Sequence, residues 1–237
     1  VRLALEKIRE HASYLRYKDG RYYASKEPTI PNILAGIRKT VTRGQVEELL
    51  KATARKVITD TIGLFHLEHD VSLPEHVPDG KGRPVLGVVS PVAEEIDVEA
   101  VITTKGPNRP REQQNLVFLL VPETVKVKTA AEQPDLFGGR SAKAEEVGRR
   151  VEGLAKQVKA MRLLSENPQR YGLSPRHLEE EDFRKDHAER ENALVTAVAE
   201  IYTGFYYAGP DGRVVRREIK TGGGEGGTPF LEQVRET

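Results

Sequence analysis

Several features that define common protein classes are absent from this chain of 237 residues. It contains no cysteine, which excludes a disulfide framework, a thiolate metal site and a cysteine nucleophile, and which is typical of a cytoplasmic protein. No apolar run approaches the ~20 residues that a membrane-spanning helix needs, so we expect no membrane partner. The composition, 38% hydrophobic and 31% charged, instead indicates a soluble globular protein.

Catalytic signatures are missing as well. The sequence has no G-x-x-x-x-G-K-[ST] phosphate loop and no G-x-S-x-G nucleophile elbow. The glycine-rich segment over 221–228 lacks the Lys-Ser/Thr pair that a phosphate loop requires and does not open a helix. We therefore expect neither a catalytic site nor a bound cofactor or metal in this chain.

Positive charge is concentrated at the amino-terminal end. Residues 1–60 carry thirteen cations against seven anions, a net charge of +6, whereas the whole chain has a net charge of only +1. The rest of the chain therefore sums to −5. Such asymmetry is typical of a protein with a polyanionic partner, although it also occurs on a surface that faces another part of the same protein.

A basic hairpin is the most distinctive motif of this segment. In Tyr14-Leu-Arg-Tyr-Lys-Asp-Gly-Arg-Tyr-Tyr-Ala24 the aromatic residues alternate as in strands, and Asp19-Gly20 supplies a tight turn. We predict a hairpin over 12–24, shaped like the wing of a winged-helix domain. The candidate nucleic-acid-binding residues are Arg16, Lys18, Arg21, Arg38, Lys39 and Arg43.

The sequence contains only part of a winged-helix domain. A recognition helix precedes the wing in such domains, and here only the amphipathic segment over 1–11 can serve. Two uses of the wing stay open: contact with DNA, or packing against a neighbouring domain.

Helices follow the hairpin and return later in the chain. Pro28–Thr40 is predicted to hold a short helix, and Thr42-x-x-Gln45 is a capping-box pattern that opens a second one. Ser141–Leu164 has the apolar spacing of a long helix that packs on another helix. A charged helix is predicted to open at Ser174-Pro175 and to continue through the apolar stripe that ends at Phe205.

Apolar runs bounded by proline predict a buried sheet. Val85–Val89 and Asn115–Val121 are typical of strands covered on both faces by helices. For Glu94–Thr103 we favour a helix followed by a short strand. Tyr206–Ile219 is predicted to form a second hairpin around an Asp-Gly turn. The fold class is therefore mixed α/β: a partial winged-helix-like part, then a helix-covered mixed sheet with a long helical hairpin.

Two further patterns have a functional and a structural interpretation. His66 and His69, with His76 nearby, could share a metal on a helical turn, but loop histidines at a core edge are the favoured interpretation. Tyr22-Tyr23 and Tyr206-Tyr207 could stack on bases. Because one tyrosine of each pair must face inward in a strand, core packing is the favoured interpretation there.

The predicted domain organisation has three parts. A basic helical, winged-helix-like part spans 1–62, an α/β domain with two long helices spans 63–220, and a flexible linker and tail span 221–237. From the first residue, Val1, and from the glycine-rich end we expect a piece of a larger protein.

Two of these motifs carry a resemblance. Tyr14-Leu-Arg-Tyr-x-Asp-Gly-Arg-Tyr-Tyr23, followed by Glu27-Pro28, and Asn115-Leu-Val-Phe-Leu-Leu-Val-Pro-Glu123 resemble the carboxyl-terminal region of large AAA+ ATPases. Those uncharacterised ATPases are encoded beside DNA methyltransferases in restriction-like phage-defence operons. The family pattern has an arginine where Gln114 stands here, so no role of that arginine transfers to this chain.

The resemblance implies a function for this chain within a larger machine. It would be a non-catalytic accessory region of a DNA-associated ATPase that binds DNA or a partner such as the methyltransferase subunit. ATP and Mg²⁺ would then bind upstream in the parent protein. The alternative is a protein-interaction scaffold with no nucleic-acid contact.

Overall fold

A computed structural model describes residues 15–18, 21–24, 29–60, 63–79, 82–128, 142–180 and 182–219. These residues form a mixed α/β structure, as predicted. The helix predicted over 1–11 and the linker and tail predicted over 221–237 lie outside the described residues. Among the described helices, none has both the length and the apolar character that crossing a membrane requires.

The described secondary structure consists of six α-helices, nine strands and short 3-10 turns. The helices are α1 (Ile30–Thr40), α2 (Arg43–Val57), α3 (Val98–Thr103), α4 (Ala142–Glu166), α5 (Pro175–Glu180) and α6 (Phe183–Ile201). The strands are β1 (Leu15–Lys18), β2 (Arg21–Ala24), β3 (His66–Val71), β4 (Val85–Val89), β5 (Glu95–Asp97), β6 (Val117–Pro122), β7 (Lys126–Lys128), β8 (Tyr202–Ala208) and β9 (Val214–Glu218). The 3-10 turns cover Pro74–His76, Gln114–Leu116 and Pro168–Tyr171.

A five-stranded sheet has the order β3-β4-β6-β8-β9. Its first three strands are parallel, whereas β8 and β9 run antiparallel to their neighbours. The pair β1–β2 is antiparallel and the short pair β5–β7 is parallel. The paired strands of both predicted hairpins are therefore present, β1–β2 and β8–β9, while residues 12–14 and 19–20 of the first hairpin lie outside the described residues.

The centre of the sheet is buried on both faces. All five residues of β4 are buried, as its continuous apolar sequence predicts. Gly87 leaves room there for its neighbour, because a Cβ would lie 2.7 Å from Cδ2 of Leu119. One face packs in a core cluster with α3, which contributes Val98, Val101 and Ile102.

Two sequence predictions fail around the last helix. The helix that opens at Pro175 ends at Glu180, and α6 begins only at Phe183, after Asp182 with φ of 36°. The predicted continuation to Phe205 is also wrong, because strand β8 begins at Tyr202. Residues 202–207 are rich in aromatic and β-branched side chains, and pairing with β6 satisfies their backbone groups.

The segment Glu94–Thr103 contains a strand and a helix in the order opposite to the predicted one. Strand β5 comes first, and α3 follows it. Asp97 caps α3, since its Oδ1 accepts a hydrogen bond from the backbone N–H of Ala100 at 2.8 Å. The prediction missed this cap, which marks the start of the helix.

Arg111 belongs to the polar segment over 109–114, yet its residue exposure is only 4%. Its Nε donates to the carbonyl of Val101, and its Nη2 donates to the carbonyls of Pro74 and Val77, each at 2.9 Å. Nη1 donates to Oδ1 of Asp79 at 3.0 Å. One guanidinium thus ties the Pro74–His76 turn to the end of α3.

The chain divides into two compact units. The described residues up to Val46 and Gly153–Ala193 form the first unit, while Glu47–Glu152 and the described residues from Leu194 form the second. In the first unit Arg162 of α4 donates to Oε1 of Glu191 of α6, with Nη2 at 2.7 Å. The five-stranded sheet belongs to the second unit.

Candidate nucleic-acid interface

The turn between α1 and α2 is held by local hydrogen bonds. The backbone N–H of Val41 and the hydroxyl of Thr40 both donate to the carbonyl of Ile37, at 3.1 and 2.8 Å. Thr42 and Gln45 then form the predicted capping box. The backbone N–H of Thr42 donates to Oε1 of Gln45 at 3.0 Å, and the N–H of Gln45 donates to Oγ1 of Thr42 at 3.3 Å. The geometry of this turn is therefore well defined.

Three candidate cations flank this turn, and all three are exposed. Arg38 and Lys39 lie in the last turn of α1, and Arg43 is the first residue of α2. The segment over 29–46 contains no aspartate or glutamate. A helix dipole favours cations at a carboxyl end but disfavours them at an amino end. Helix stability thus accounts for Arg38 and Lys39 at the carboxyl end of α1.

The other three candidates lie on the β1–β2 hairpin. Lys18 is paired with Arg21, and Arg16 with Tyr23, in the antiparallel register. Arg21 is exposed, and the side chains of Arg16 and Lys18 lie outside the described part of the structure. The hairpin and the turn between α1 and α2 belong to the same compact unit.

His66 and His69 lie on strand β3, and not on a helical turn or in a loop. Nε2 of His66 is 2.9 Å from Oε1 of Glu68. The Nδ1 of His69 is buried without a hydrogen-bond partner in the described structure, and burial lowers the pKa of this imidazole. Among the described residues no three histidine or carboxylate side chains come together as a metal site would require.

Asp70, near the carboxyl end of β3, makes contacts that the sequence does not predict. Its register with β4 shifts between Glu68 and Val71, and Asp70 has a φ of 59°. Nε of Arg55 donates to Oδ2 of Asp70 at 3.0 Å. Tyr202 donates to the carbonyl of Val89 at 2.9 Å, and burial, then the nearby charge of Asp70, raises the pKa of its phenol. These contacts lie far apart in sequence, so no local signal predicts them.

A cleft of about 300 Å³ opens in the second unit beside β6, β8 and the start of α4. Lys143 and Arg216 line it together with Glu123 and Glu218, so its charges are mixed. Neither sign dominates in this cleft, whereas the segment over 29–46 around the turn between α1 and α2 has no acidic residue.

No protein-family model, curated protein or solved structure matches this chain. The resemblance to the AAA+ ATPases therefore depends on the two quoted motifs. The function has to be argued from the charge and geometry of the described residues.

Proposed function

We propose that this chain is a non-catalytic, duplex-DNA-binding accessory region of a DNA-associated AAA+ ATPase. The observation that carries the proposal is the exposed set Arg38, Lys39 and Arg43 in a segment over 29–46 that has no acidic residue. Arg21 on the hairpin of the same unit is exposed too. In this proposal ATP and Mg²⁺ bind elsewhere in the ATPase and not to this chain.

Cations of this kind bind phosphates without selecting a sequence. Each phosphate that they neutralise releases condensed counterions, so the logarithm of the affinity falls with the logarithm of the salt concentration by about 0.9 per contact on B-DNA. Arginine and lysine at a fixed turn can contact adjacent phosphates at a defined spacing. We therefore expect binding that depends strongly on salt and weakly on sequence.

The experiment is a fluorescence-anisotropy titration with two unrelated duplexes of about 20 base pairs, repeated at several salt concentrations. The double variant R38E/K39E is expected to weaken binding to both duplexes equally and to reduce the salt slope by about two. The variant K18E/R21E tests the hairpin in the same way.

A matched control is R149E/R150E, which changes the same charge at two exposed neighbours on α4 in the second unit. The proposal fails if R38E/K39E and the control weaken binding equally, or if the unmodified chain does not bind duplex DNA at low salt. A chain that ignores DNA but binds a DNA methyltransferase subunit would support the protein-interaction scaffold instead.

A further inference from the structure

Aromatic side chains from neighbouring strands form a row across one face of the five-stranded sheet. The register pairs Phe118 of β6 with Tyr207 of β8, and Tyr207 with Val215 of β9. All three residues are half-buried, whereas Phe205, on the same face of β8, is only 2% exposed. The row therefore leads from the covered centre of the sheet to an accessible edge.

Ring contacts hold this row together. Phe118 stacks on Phe205 with a centroid distance of 5.6 Å and an interplanar angle of 14°. Tyr207 lies 6.3 Å from Phe118 and 5.8 Å from Phe205, while Phe65 meets Phe118 edge-on at 5.5 Å. Since each ring is held by another, Tyr207 and Phe118 present a preorganised aromatic surface.

A guanidinium lies at each end of the row. Nε of Arg217, an exposed residue of β9, donates to the phenol oxygen of Tyr207 at 3.1 Å, and neither Nη group bonds to another described residue. At the other end Nη2 of Arg83 donates to the carbonyl of Phe65 at 3.1 Å. Asp60 lies at that end as well, because its Oδ2 accepts from the N–H of Phe65. Arg217 is thus the better-placed cation for an anionic group.

We propose that Tyr207, Phe118 and Arg217 form a binding site for single-stranded DNA, in which an unpaired base stacks on the rings and Arg217 binds its phosphate. An aromatic surface beside an arginine is the combination by which proteins bind unpaired strands. Duplex DNA does not fit this chemistry, since its bases are already stacked on one another. The site lies in the second unit and involves none of the cations around the turn between α1 and α2.

The test measures the affinity of the whole chain for a mixed-sequence single strand of about 12 nucleotides and for the matching duplex. The variant Tyr207→Leu removes the ring and is expected to weaken single-strand binding by about 5-fold to 100-fold. Tyr207→Phe keeps the ring and should stay within about threefold of the unmodified chain. Arg217→Gln should weaken binding, whereas Arg213→Gln, which removes an exposed cation from the same hairpin, should not.

The inference is overturned if Tyr207→Leu and Arg217→Gln leave single-strand binding unchanged, if Tyr207→Phe weakens it as much as the leucine variant, or if Arg213→Gln matches Arg217→Gln. Photo-crosslinking needs no variant: a strand with 5-iodouracil should attach to Tyr207 or Phe118, and attachment elsewhere alone contradicts the site. The effect of R38E/K39E on duplex binding tests the proposed function separately. The proposed function and the single-strand site can therefore fail independently.

Discussion

The guanidinium of Arg111, with no exposed side-chain surface, donates from Nη1 to Oδ1 of Asp79 over 3.0 Å. Together with three backbone carbonyls, this carboxylate satisfies four of the five N–H groups of the arginine. Removing one partner of a buried ion pair leaves the other charge without compensation, which strongly destabilises the fold.

Replacing Arg111 by methionine should destabilise the fold by about 3–5 kcal/mol, because Asp79 loses one of its cationic partners and the backbone carbonyls of Pro74, Val77 and Val101 each lose a donor. Urea unfolding followed by circular dichroism measures the change. Arg109→Met is the matched control at an exposed neighbour, and we expect about 0.5 kcal/mol or less there. Equal losses in the two variants would contradict a structural role for Arg111.

The ion pairs of Asp79 with Lys105 and Arg111 should also make the stability of the fold depend on pH. Burial by itself would raise the pKa of Asp79, but hydrogen bonds and charges of Lys105 and Arg111 outweigh it and hold the pKa below its ordinary value of 3.8. The carboxylate therefore contributes stability that is present above pH 3.8 and is lost as the pH falls through the lowered pKa. The difference in unfolding free energy between the unmodified chain and Asp79→Asn should be constant near neutrality and shrink below about pH 4. A difference that stays flat down to pH 3 would contradict this account.

Protonation of His69 should also lower the stability of the fold in acid, at a higher pH than protonation of Asp79 does. Burial, and after it the charge of Arg55, lowers the pKa of this imidazole below 6.5, although Asp70 and Glu68 act in the opposite sense. The unfolded chain then binds the proton more readily, so stability is fully present above pH 6.5 and falls as the pH drops through the folded-state pKa. Relative to His69→Gln, the unmodified chain should lose stability between about pH 7 and pH 5 in urea titrations. A relative gain over that interval would refute the prediction.

Replacement by alanine should change the stability of the fold in opposite directions at Gly87 and at Gly153. At Gly87 the new Cβ would lie 2.7 Å from Leu119 and 3.2 Å from Val77, inside a packed core, so we expect a loss of about 1–3 kcal/mol. At Gly153, inside α4, no described atom outside the helix's own backbone lies within 4 Å of the new Cβ, so alanine should stabilise the helix by about 0.5–1 kcal/mol. Thermal unfolding of both variants provides the measurement, and each serves as the control for the other. A neutral Gly87→Ala would show that β4 can move away from its neighbours.

Local patterns explain the parts of the fold that could be predicted. Thr42 and Gln45 are three residues apart, so their capping box depends on no distant contact. The apolar run Val85–Val89 predicts a doubly buried strand by itself, and the Asp-Gly turn before Arg213 predicts the β8–β9 hairpin. The candidate cations Arg21, Arg38, Lys39 and Arg43, which are exposed, were likewise selected from charge alone.

The remaining features depend on partners that are distant in sequence. The apolar spacing of α6 continues to Phe205, but pairing with β6 converts the chain to a strand at Tyr202. Arg111 belongs to a polar segment, and only the carbonyls of the Pro74–His76 turn and α3 make its burial possible.

The sequence by itself determined the mixed α/β class, the capping box of Thr42 and Gln45, the turn of the β8–β9 hairpin and the asymmetry of charge, because these follow from composition or from residues within a few positions of one another. The tertiary structure alone decided which tyrosine of Tyr206-Tyr207 joins the core and which meets Arg217. The physical reason is that the pairing register of β8 assigns each side chain to one face of the sheet, and this register is set by strands distant in the chain.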